Sequence, residues 1–482
     1  MTAPVRQGSR NLGSGSRGLV RALLPEATVP QTDPERRQLL IRELTNPTPQ
    51  QIWLVLSVLG RRLPVPSEVE RLHRVARHEG IAEVFAAIDA ERRHPARLAD
   101  APVDIIEGAV LVDVHDSATT RLATGVQRLA RGIVDGWLPR QVDLVGWSPS
   151  RTQLRTIAED AWATHRRRGM FSNRGVVPWN GWYTLAEVVG DVERSIRIQA
   201  LAQYSGCRTM LVGADVIPLT TAETTGPKMP GVFAKYLSAA SRMSVVVGIS
   251  ETASAEYAGW RAMLGSAGIE GPEIRTVDLA VAAREPSPES RESALRAVTA
   301  DGAFGDLPLV LCVGSHEPRK NHEAVLHAAE VLWREGQRFS LVFIGGNAWH
   351  SGSFRMRVDE LKAAGRPVAT ISGASDDVLL WAYRLARFTV FPSVNEGFGL
   401  PIAESLVAGT PVVTTGYGSM LEVASNGGCV LVDPRDDASI ATGVRSLLED
   451  NELYARLRAE AAALPGKSWQ KYADELWNIL MD

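Results

Sequence analysis

The chain has 482 residues and a mass of 52.2 kDa, which predicts about three domains at roughly 150 residues per domain. Its net charge of −3, with 22% charged residues, lacks the strong positive field of a protein that binds nucleic acid. Its three cysteines, Cys207, Cys312 and Cys429, lie far apart, which excludes a disulfide framework and a CxxC zinc site and favours a reducing compartment.

Residues 1–34 are rich in Gly, Ser, Pro and Arg and show little apolar periodicity, so we predict a flexible basic tail. They hold a formal GxGxxG from Gly13 to Gly18, but a dinucleotide-binding fingerprint follows a strand, and nothing before Gly13 has a strand pattern. The absence of a secretory-signal core and of an apolar run near roughly 20 residues predicts a cytoplasmic protein. The alternative to a solvated tail is a peripheral contact of its arginines with the inner face of the plasma membrane.

Residues 35–100 are predicted to form a small all-α region. Four segments carry apolar residues at spacings of three and four, with prolines as breakers. These segments are Arg36–Leu44, Gln50–Leu59, Ser67–Glu79 and Ile81–Arg92. We interpret the region as a packing or docking module, through which a protein partner would bind.

Residues 101–300 change to strands that alternate with helices, which predicts βαβ units and a parallel sheet. The predicted strands are Ile105–Val114, Val142–Trp147, Met210–Ile217, Ser244–Ile249 and Ile274–Val281. The predicted helices are Thr124–Trp137, Gly231–Met243 and Thr252–Leu264. The stretch Arg284–Leu307 is rich in Pro, Ser, Glu and Gly, which is typical of a linker.

The alternation restarts over residues 301–466. The predicted strands are Leu309–Val313, Leu341–Gly345, Val368–Ser372, Phe388–Pro392, Val412–Thr415 and Val430–Val432. The predicted helices are Asn321–Glu335, Phe354–Ala364, Asp376–Ala386, Leu400–Ala408 and Ala438–Glu449. Residues 467–482 are expected to form an amphipathic helix that packs back across the domain interface. The predicted fold class is therefore α/β, with two Rossmann-like domains that face a cleft and follow the all-α region.

The stretch from Phe391 to Glu404 carries the clearest chemical pattern. A strand is expected to end there, a glycine-containing loop follows, and Pro401 occupies the first helical position that proline favours. The backbone N–H groups of Gly399 and Leu400, at the positive end of the helix dipole, predict a phosphate site.

Two acids flank this predicted phosphate site. Glu404 lies about one turn into the helix, where its carboxylate can accept both hydroxyls of a ribose, whereas Glu396 lies in the loop, where it can accept sugar hydroxyls. The alternative is a pair of solvated surface acids. Two acids beside a phosphate-binding helix end favour a nucleotide-sugar over a bare nucleotide.

Glu396 and Glu404, with seven residues between them, resemble the EX7E motif of retaining GT-B glycosyltransferases of family 4, the glycosyltransferase group 1. The similarity covers about residues 105–481. The stretch Gly314–Asn321 is similar to the family's strand-to-helix turn, whose Arg and Lys, here Arg319 and Lys320, bind the donor diphosphate. An exposed basic pair at a helix start is the alternative for these two residues.

Two further stretches carry the resemblance. Gly418–Val423 resembles the loop whose backbone amides face the diphosphate and sugar, although its Glu422 suits helix capping equally well. Thr124–Arg128 resembles the first-domain turn of members that glycosylate polysaccharide or lipid-linked chains. The donor-binding residues that the resemblance implies are Glu404, Gly397, Phe398, Gly399, Leu400, Ser419, Met420, Leu421, Gly314 and Gly125.

The resemblance implies a retaining hexosyltransferase of polysaccharide biosynthesis. Residues 301–466 would hold a nucleotide diphosphate sugar, with GDP-mannose favoured, and residues 101–300 a glycan or lipid-linked acceptor. The chain contains no Asp-x-Asp and no histidine array with metal-ligand spacing, so we expect no metal and no other cofactor. Arg319, Lys320 and the helix N-terminus would stabilise the leaving diphosphate instead.

One position departs from the family pattern. Relatives usually carry a histidine, often as His-Asp, where this chain has Ala214-Asp215. Asp215 therefore joins Glu396, Arg319 and Lys320 as a catalytic candidate, and Asp113, His115 or Asp215 would have to replace the missing histidine. The alternative is a weakened or inactive homologue that acts as a sugar-nucleotide or glycan-binding assembly partner.

Overall fold

The computed structural model describes residues 9–93, 101–120, 125–164, 170–282 and 284–482. Within these ranges the strands form two sheets, one of ten strands and one of six. The predicted α/β fold with two sheet domains is confirmed. Thr124, which begins one predicted helix and one family-like turn, lies outside the described residues.

The first sheet has the strand order β1-β2-β6-β5-β4-β3-β7-β8-β9-β10. Its strands are β1 (Arg10–Ser14), β2 (Val103–Glu107), β3 (Val110–Asp113), β4 (Asp143–Trp147), β5 (Leu154–Thr156), β6 (Gly175–Trp179), β7 (Trp182–Leu185), β8 (Arg208–Gly213), β9 (Val245–Gly248) and β10 (Glu273–Thr276). The run from β4 through β3 and β7 to β10 is parallel, so the carboxyl ends of these strands meet at one edge.

Helices cover both faces of the first sheet. They are α1 (Gly15–Leu23), α2 (Asp33–Glu43), α3 (Pro49–Leu59), α4 (Pro66–His78), α5 (Ile81–Arg92), α6 (His115–Thr119), α7 (Gly125–Trp137), α8 (Glu159–Ala163), α9 (Val192–Tyr204), α10 (Ile217–Thr220), α11 (Met229–Ala240) and α12 (Glu251–Leu264).

The second sheet is parallel throughout, with the order β13-β12-β11-β14-β15-β16. Its strands are β11 (Leu309–Val313), β12 (Ser340–Ile344), β13 (Val368–Ile371), β14 (Phe388–Phe391), β15 (Val412–Thr415) and β16 (Cys429–Val432). The helices of this half are α13 (Ser290–Val298), α14 (His322–Arg334), α15 (Gly352–Ala363), α16 (Asp376–Leu385), α17 (Leu400–Val407), α18 (Gly418–Ala424), α19 (Asp437–Glu449), α20 (Asn451–Ala462) and α21 (Trp469–Met481).

The prediction of a flexible tail is wrong for the described part of residues 1–34. β1 pairs with β2 in antiparallel register, and Leu19 and Val20 of α1 are fully buried. A Cβ on Gly18 would lie 2.5 Å from the carbonyl oxygen of Gly13, so the glycines serve close helix–strand contact. The GxGxxG does follow a strand and open a helix, but Ser16 in its first turn donates a hydrogen bond to the Asp33 carboxylate.

The predicted helices of residues 35–100 are confirmed within one to three residues at their ends over the described range. Every residue of α3 from Ile52 to Leu59 is buried, because this helix lies between its helical neighbours and the first sheet. The helical region shares one continuous apolar core with that sheet. It is therefore a layer of the first sheet domain.

Three further sequence predictions differ from the structure. The predicted strand Ile105–Val114 is two strands, β2 and β3, because the chain turns at Gly108, whose φ is +67°. The predicted linker Arg284–Leu307 contains α13, which packs against α16 and buries Ala294 and Val298. In the first sheet domain α6, β5, α8, β6, β7, α9 and α10 were not predicted, nor was α20 in the second.

The C-terminal helix α21 packs against α7 of the first sheet domain. A Cβ on Gly136 would lie 2.4 Å from the Cβ of Ala473, and the indole N–H of Trp137 donates to the Ala473 carbonyl at 2.7 Å. Glycine in α7 thus permits the close approach of α21, which joins the two halves of the molecule.

Candidate active site

The pairing of β11 with β14 brings the two motif loops together. Because these strands are parallel neighbours, the loops after their carboxyl ends, at 314–321 and 392–399, lie side by side. The backbone N–H of Val394 donates to the Arg319 carbonyl at 2.9 Å. Both basic residues therefore reach the acid of the neighbouring loop.

We call Glu317, Arg319, Lys320 and Glu396 the donor cluster. Lys320 Nζ and Ser393 Oγ each donate to Glu396 Oε1 at 2.6 Å, and Arg319 lies 2.6 Å from Oε2. Arg319 also pairs with Glu317 at 2.6 Å. Lys320 lies 4.8 Å from the centroid of the Phe391 ring, a cation–π distance.

The electrostatics of the donor cluster depend on the pairing of its charges. Burial raises the pKa of Glu396, but the nearby Arg319 and Lys320 cations prevail and lower it to about 2. Burial lowers the pKa of Lys320, and Glu396 opposes this shift. Glu396 is therefore ionised at neutral pH and neutralises cations that a diphosphate would also attract.

The helix start after β14 has the predicted form. Gly399 precedes α17 with a φ of +99°, which favours glycine, and Pro401 lies in its first turn. No side chain caps this helix start. Leu400 faces the first sheet domain, where a Cβ on Gly125 would lie 3.2 Å from its Cδ1.

The second acid of the motif, Glu404, lies at a cavity of about 540 Å³ between the domains. Tyr383 donates to Glu404 Oε2 at 2.9 Å, and Arg128 of α7 lies 2.5 Å from Oε1. Burial raises the pKa of Glu404, against the nearby Arg128 charge. Arg128 was part of a family-like turn but was not predicted as a site residue, because its partner is 276 positions away.

The first sheet domain contacts the donor cluster through the residues that follow β8. A Cβ on Gly397 would lie 2.1 Å from the carbonyl oxygen of Ala214 and 3.2 Å from the Cβ of Asp215. Ser250 donates to the Gly397 carbonyl at 2.6 Å. Gly397 is thus required by a close approach of the two domains.

Among the three candidates to replace the missing histidine, Asp215 is the one beside the donor cluster. Burial raises the pKa of Asp215, while Arg319 lowers it. Asp113 instead accepts hydrogen bonds from Trp147 and Tyr183 inside the first sheet domain.

The remaining predicted residues surround the donor cluster. Ser419 donates to the Glu396 carbonyl at 2.7 Å, and Met420 beside it is fully buried. A Cβ on Gly314 would lie 3.5 Å from the Lys320 side chain. Phe398 packs against the apolar cores of both domains, whereas Leu421 is exposed.

Glu422 caps a helix of the other domain. Its carboxylate accepts from the backbone N–H of Thr252 at 2.6 Å and of Glu251 at 3.0 Å, at the start of α12. The sequence suggested that Glu422 caps the start of its own helix, but Glu422 lies within α18 and its carboxylate caps α12 instead.

Residues 9–93, 101–120, 125–164, 170–282 and 284–482 hold no group of three His, Cys, Asp or Glu side chains placed to bind a metal ion. No helix in the part of the chain that the structure describes is both long and apolar enough to span a bilayer.

Residues 299–463 match the family described as glycosyl transferases group 1. The O-antigen chain mannosyltransferase B of Escherichia coli is 34% identical over 142 residues, which cover 29% of this chain and 37% of that protein. The D-inositol 3-phosphate glycosyltransferase of Corynebacterium efficiens is 33% identical over 178 residues, 36% of this chain and 42% of that protein. The matches thus span less than half the length of these relatives.

Solved structures share the fold over most of the chain. Sucrose-phosphate synthase from Thermosynechococcus elongatus has a TM-score of 0.55 at 17% identity and covers 77% of this chain and 98% of its own. HepE of Anabaena, in complex with UDP and glucose, has a TM-score of 0.56 at 13% identity, and the match covers 77% of this chain and 99% of HepE. Residues 299–463 thus match the glycosyl transferases group 1, and the two sheets have the GT-B fold.

Proposed function

We propose that this protein is a retaining glycosyltransferase that moves a hexose from a nucleotide diphosphate sugar to a glycan or lipid-linked acceptor. The observation that carries the proposal is the donor cluster, where Lys320 and Arg319 both lie 2.6 Å from the Glu396 carboxylate. A buried lysine and a largely buried arginine beside a helix start without a side-chain cap suit a diphosphate.

In the mechanism we propose, the donor diphosphate binds to Arg319, Lys320 and the amides at the start of α17. Glu396 then accepts hydroxyls of the transferred sugar. The acceptor hydroxyl attacks on the face from which the diphosphate departs, and a β-phosphate oxygen takes its proton, so no enzyme nucleophile and no metal are required. In this mechanism catalysis is electrostatic, and each positioned cation or N–H group at the leaving diphosphate stabilises the transition state by about 3–4 kcal/mol.

The ribose of the donor is assigned to Glu404. In the structure Arg128 occupies one oxygen of this carboxylate, so the nucleoside has to displace Arg128 or bind beside it. The adjacent cavity of about 540 Å³ has apolar walls from Leu379 and Leu400, which suit a nucleobase.

We propose mannose as the transferred sugar and GDP-mannose as the first donor to test. The support is twofold: Gly125–Arg128 forms the described part of the turn that resembles enzymes of polysaccharide and lipid-linked chains, and several matching relatives are mannosyltransferases. The matches to those relatives are partial, so the donor has to be established on this protein.

A non-catalytic sugar-nucleotide-binding homologue is the second candidate. Ala214, buried beneath Gly397, offers no side-chain hydrogen bond where relatives carry a histidine. This candidate predicts donor binding without turnover.

Turnover of the donor decides between the two. We expect purified protein, incubated with GDP-mannose, UDP-glucose or ADP-glucose, to release nucleoside diphosphate slowly from one of them, since the closed site excludes most water. Proton NMR during the first turnovers would show the freed sugar with the anomeric configuration of its donor. Inversion would contradict the retaining mechanism, and tight binding of a donor without any release would support the non-catalytic candidate.

A further inference from the structure

A second group of buried charges lies at the carboxyl edge of the first sheet. We call Asp113, His115, Glu187 and Arg194 the first-sheet cluster; each is at most 3% exposed. Asp113 ends β3 and His115 follows it, Glu187 follows β7, and Arg194 lies on α9. None of them has a role in the proposed transfer mechanism.

Most of the first-sheet cluster is satisfied within the fold. Arg194 lies 3.3 Å from Asp113 and 3.4 Å from Glu187. It also lies 2.7 Å from Asp116, whose side chain is 40% exposed. Glu187 accepts from the backbone N–H groups of Asp116 at 2.6 Å and Ser117 at 2.8 Å. These bonds give the acids and the terminal nitrogens of Arg194 structural roles, while Arg194 Nε has no partner among the described residues.

His115 has an unsatisfied side. The backbone N–H of Trp147 donates to His115 Nδ1 at 3.0 Å, and a backbone amide can only donate. A neutral imidazole has one accepting and one donating nitrogen, so Nε2 carries the proton. Burial, followed by the nearby Arg194 charge, lowers the pKa of His115 to about 4, so the ring is neutral at pH 7.

Arg151 places a second donor against that proton. Its guanidinium nitrogen lies 2.5 Å from His115 Nε2, although arginine too can only donate. Arg151 has a φ of +58°, in the left-handed region that non-glycine residues seldom adopt. Such a conformation persists only where the surrounding structure fixes it, so the backbone of Arg151 is held in place. Two hydrogen-bond donors therefore face each other. Arg151 Nε also donates to Asp191 Oδ2 at 3.4 Å, whereas among the described residues no oxygen accepts the proton on His115 Nε2.

The charges around this pair select the kind of oxygen that fits. Asp191 lies 3.4 Å from Arg151 and is 36% exposed, and Asp116 is the next residue after His115. Three acids, Asp113, Asp116 and Asp191, thus surround two bases, Arg151 and Arg194. The acids outnumber the bases even when Glu187 is protonated. A phosphate or carboxylate would be repelled. A sugar hydroxyl can accept from His115 and Arg151 and donate to an aspartate.

The position suits an acceptor. His115 follows β3, and Ala214, which touches the donor cluster through Gly397, follows β8. Those strands are two positions apart in the sheet, or about 10 Å at about 4.8 Å per strand. The ring of Phe171, 6.0 Å from that of His115, lines the same place with an apolar surface.

We propose that His115 Nε2 and Arg151 bind a hydroxyl of a neutral sugar unit in the acceptor, two strands across the sheet from Ala214. This inference rests on the proposed function, because only a transferase has an acceptor. It separates two classes of acceptor: a neutral glycan chain fits this site, whereas a phosphate-bearing acceptor such as an inositol phosphate does not.

The test follows the side-chain N–H of His115 by ¹⁵N–¹H NMR at pH 7, with the signal assigned by its loss in His115→Gln. We expect a proton on Nε2, and we expect α-linked mannobiose to shift its signal while D-inositol 3-phosphate at equal concentration does not. Arg151→Gln should weaken mannobiose binding at least tenfold, and Arg261→Gln, on the surface of α12, should not change it.

The proposal is overturned if inositol 3-phosphate shifts the signal and mannobiose does not, if neither does, or if Arg151→Gln binds mannobiose normally. If Arg151→Gln does not fold, the signal in the unaltered chain decides alone. Nucleotide-sugar binding is measured separately by thermal shift. If no nucleotide-sugar binds while mannobiose binding depends on Arg151, the proposed function fails and the sugar site remains.

Discussion

The donor cluster and the first-sheet cluster are both buried groups of charges, and they differ in balance. The donor cluster pairs two acids, Glu317 and Glu396, with two cations, Arg319 and Lys320, on loops that meet at the cleft. In the first-sheet cluster Arg194 pairs with Asp113 and Glu187 and, outside the cluster, with the exposed Asp116. Asp113 also accepts from Trp147 and Tyr183.

Because of this difference, we expect the ion pairs of the donor cluster to be replaceable by a ligand and those of the first-sheet cluster to be structural. Under the proposed function, a diphosphate would replace Glu396 as the partner of both cations in the donor cluster, and the freed carboxylate would bind the sugar. In the first-sheet cluster, backbone N–H groups and the side chains of Trp147 and Tyr183 hold the acids in place. A ligand would not displace these acids, so their negative charge acts on the pKa values of neighbouring groups.

We expect the largest effect on activity from a substitution that removes a cation of the donor cluster. Lys320→Ala should lower transfer about a hundredfold, because one positioned cation at the leaving group is lost. Steady-state release of nucleoside diphosphate measures this effect. The matched control is Lys235→Ala on the exposed side of α11, which should retain full activity. Near-normal turnover in Lys320→Ala would contradict the assignment.

A smaller effect tests the contact between the two sheet domains. Gly397→Ala would place a Cβ 2.1 Å from the Ala214 carbonyl oxygen, so the domains have to separate there. Overpacking of this kind costs about 1–3 kcal/mol, or a drop of roughly 2–4 °C in Tm per kcal/mol. Gly259→Ala on α12, whose Cβ meets open space, is the control and should not lower the Tm. An unchanged Tm in Gly397→Ala would show that the domains do not meet there.

The smallest effect concerns the pH dependence of stability in the first-sheet cluster. Burial raises the pKa of Glu187 to about 7, so its contribution is present below about pH 4.5 and is lost as the pH rises toward 7. Burial lowers the pKa of His115 to about 4, so its contribution is present above about pH 6.5 and is lost as the pH falls toward 4. Between these limits the two slopes oppose each other.

Removing one group should expose the slope of the other. Relative to the unaltered chain, Glu187→Gln should gain stability with rising pH between 5 and 6.5, and His115→Gln should lose it, each by at most about 1.4 kcal/mol per pH unit. Urea unfolding followed at several pH values measures both slopes. Glu452→Gln on exposed α20 is the control. Two parallel slopes would show that the groups do not titrate in this range.

The sequence predicted the second sheet domain best because its signals are local. Each buried parallel strand is a short apolar run, and Glu396 and Glu404 lie in a single strand–loop–helix unit. β1 and α1 were missed because their glycines have the composition of a flexible tail, whereas in the fold Gly18 packs on the carbonyl of Gly13.

The contacts that were missed in the site depend on distant partners. Arg128 meets Glu404 only when α7 of one domain reaches α17 of the other. Likewise the contact between His115 and Arg151 depends on a left-handed backbone at Arg151, which no sequence pattern indicates for an arginine.

The most direct test of the central claim is a thermal-shift screen against UDP, GDP, ADP and their common sugar conjugates. Saturation at about 100 times Kd adds about 2.7 kcal/mol, a shift of several degrees. We predict a selective shift with one sugar nucleotide, with GDP-mannose as the first candidate, and the loss of this shift in Glu404→Ala. No shift with any of these compounds, or the same shift in Glu404→Ala, would contradict a donor site built on Glu396 and Glu404.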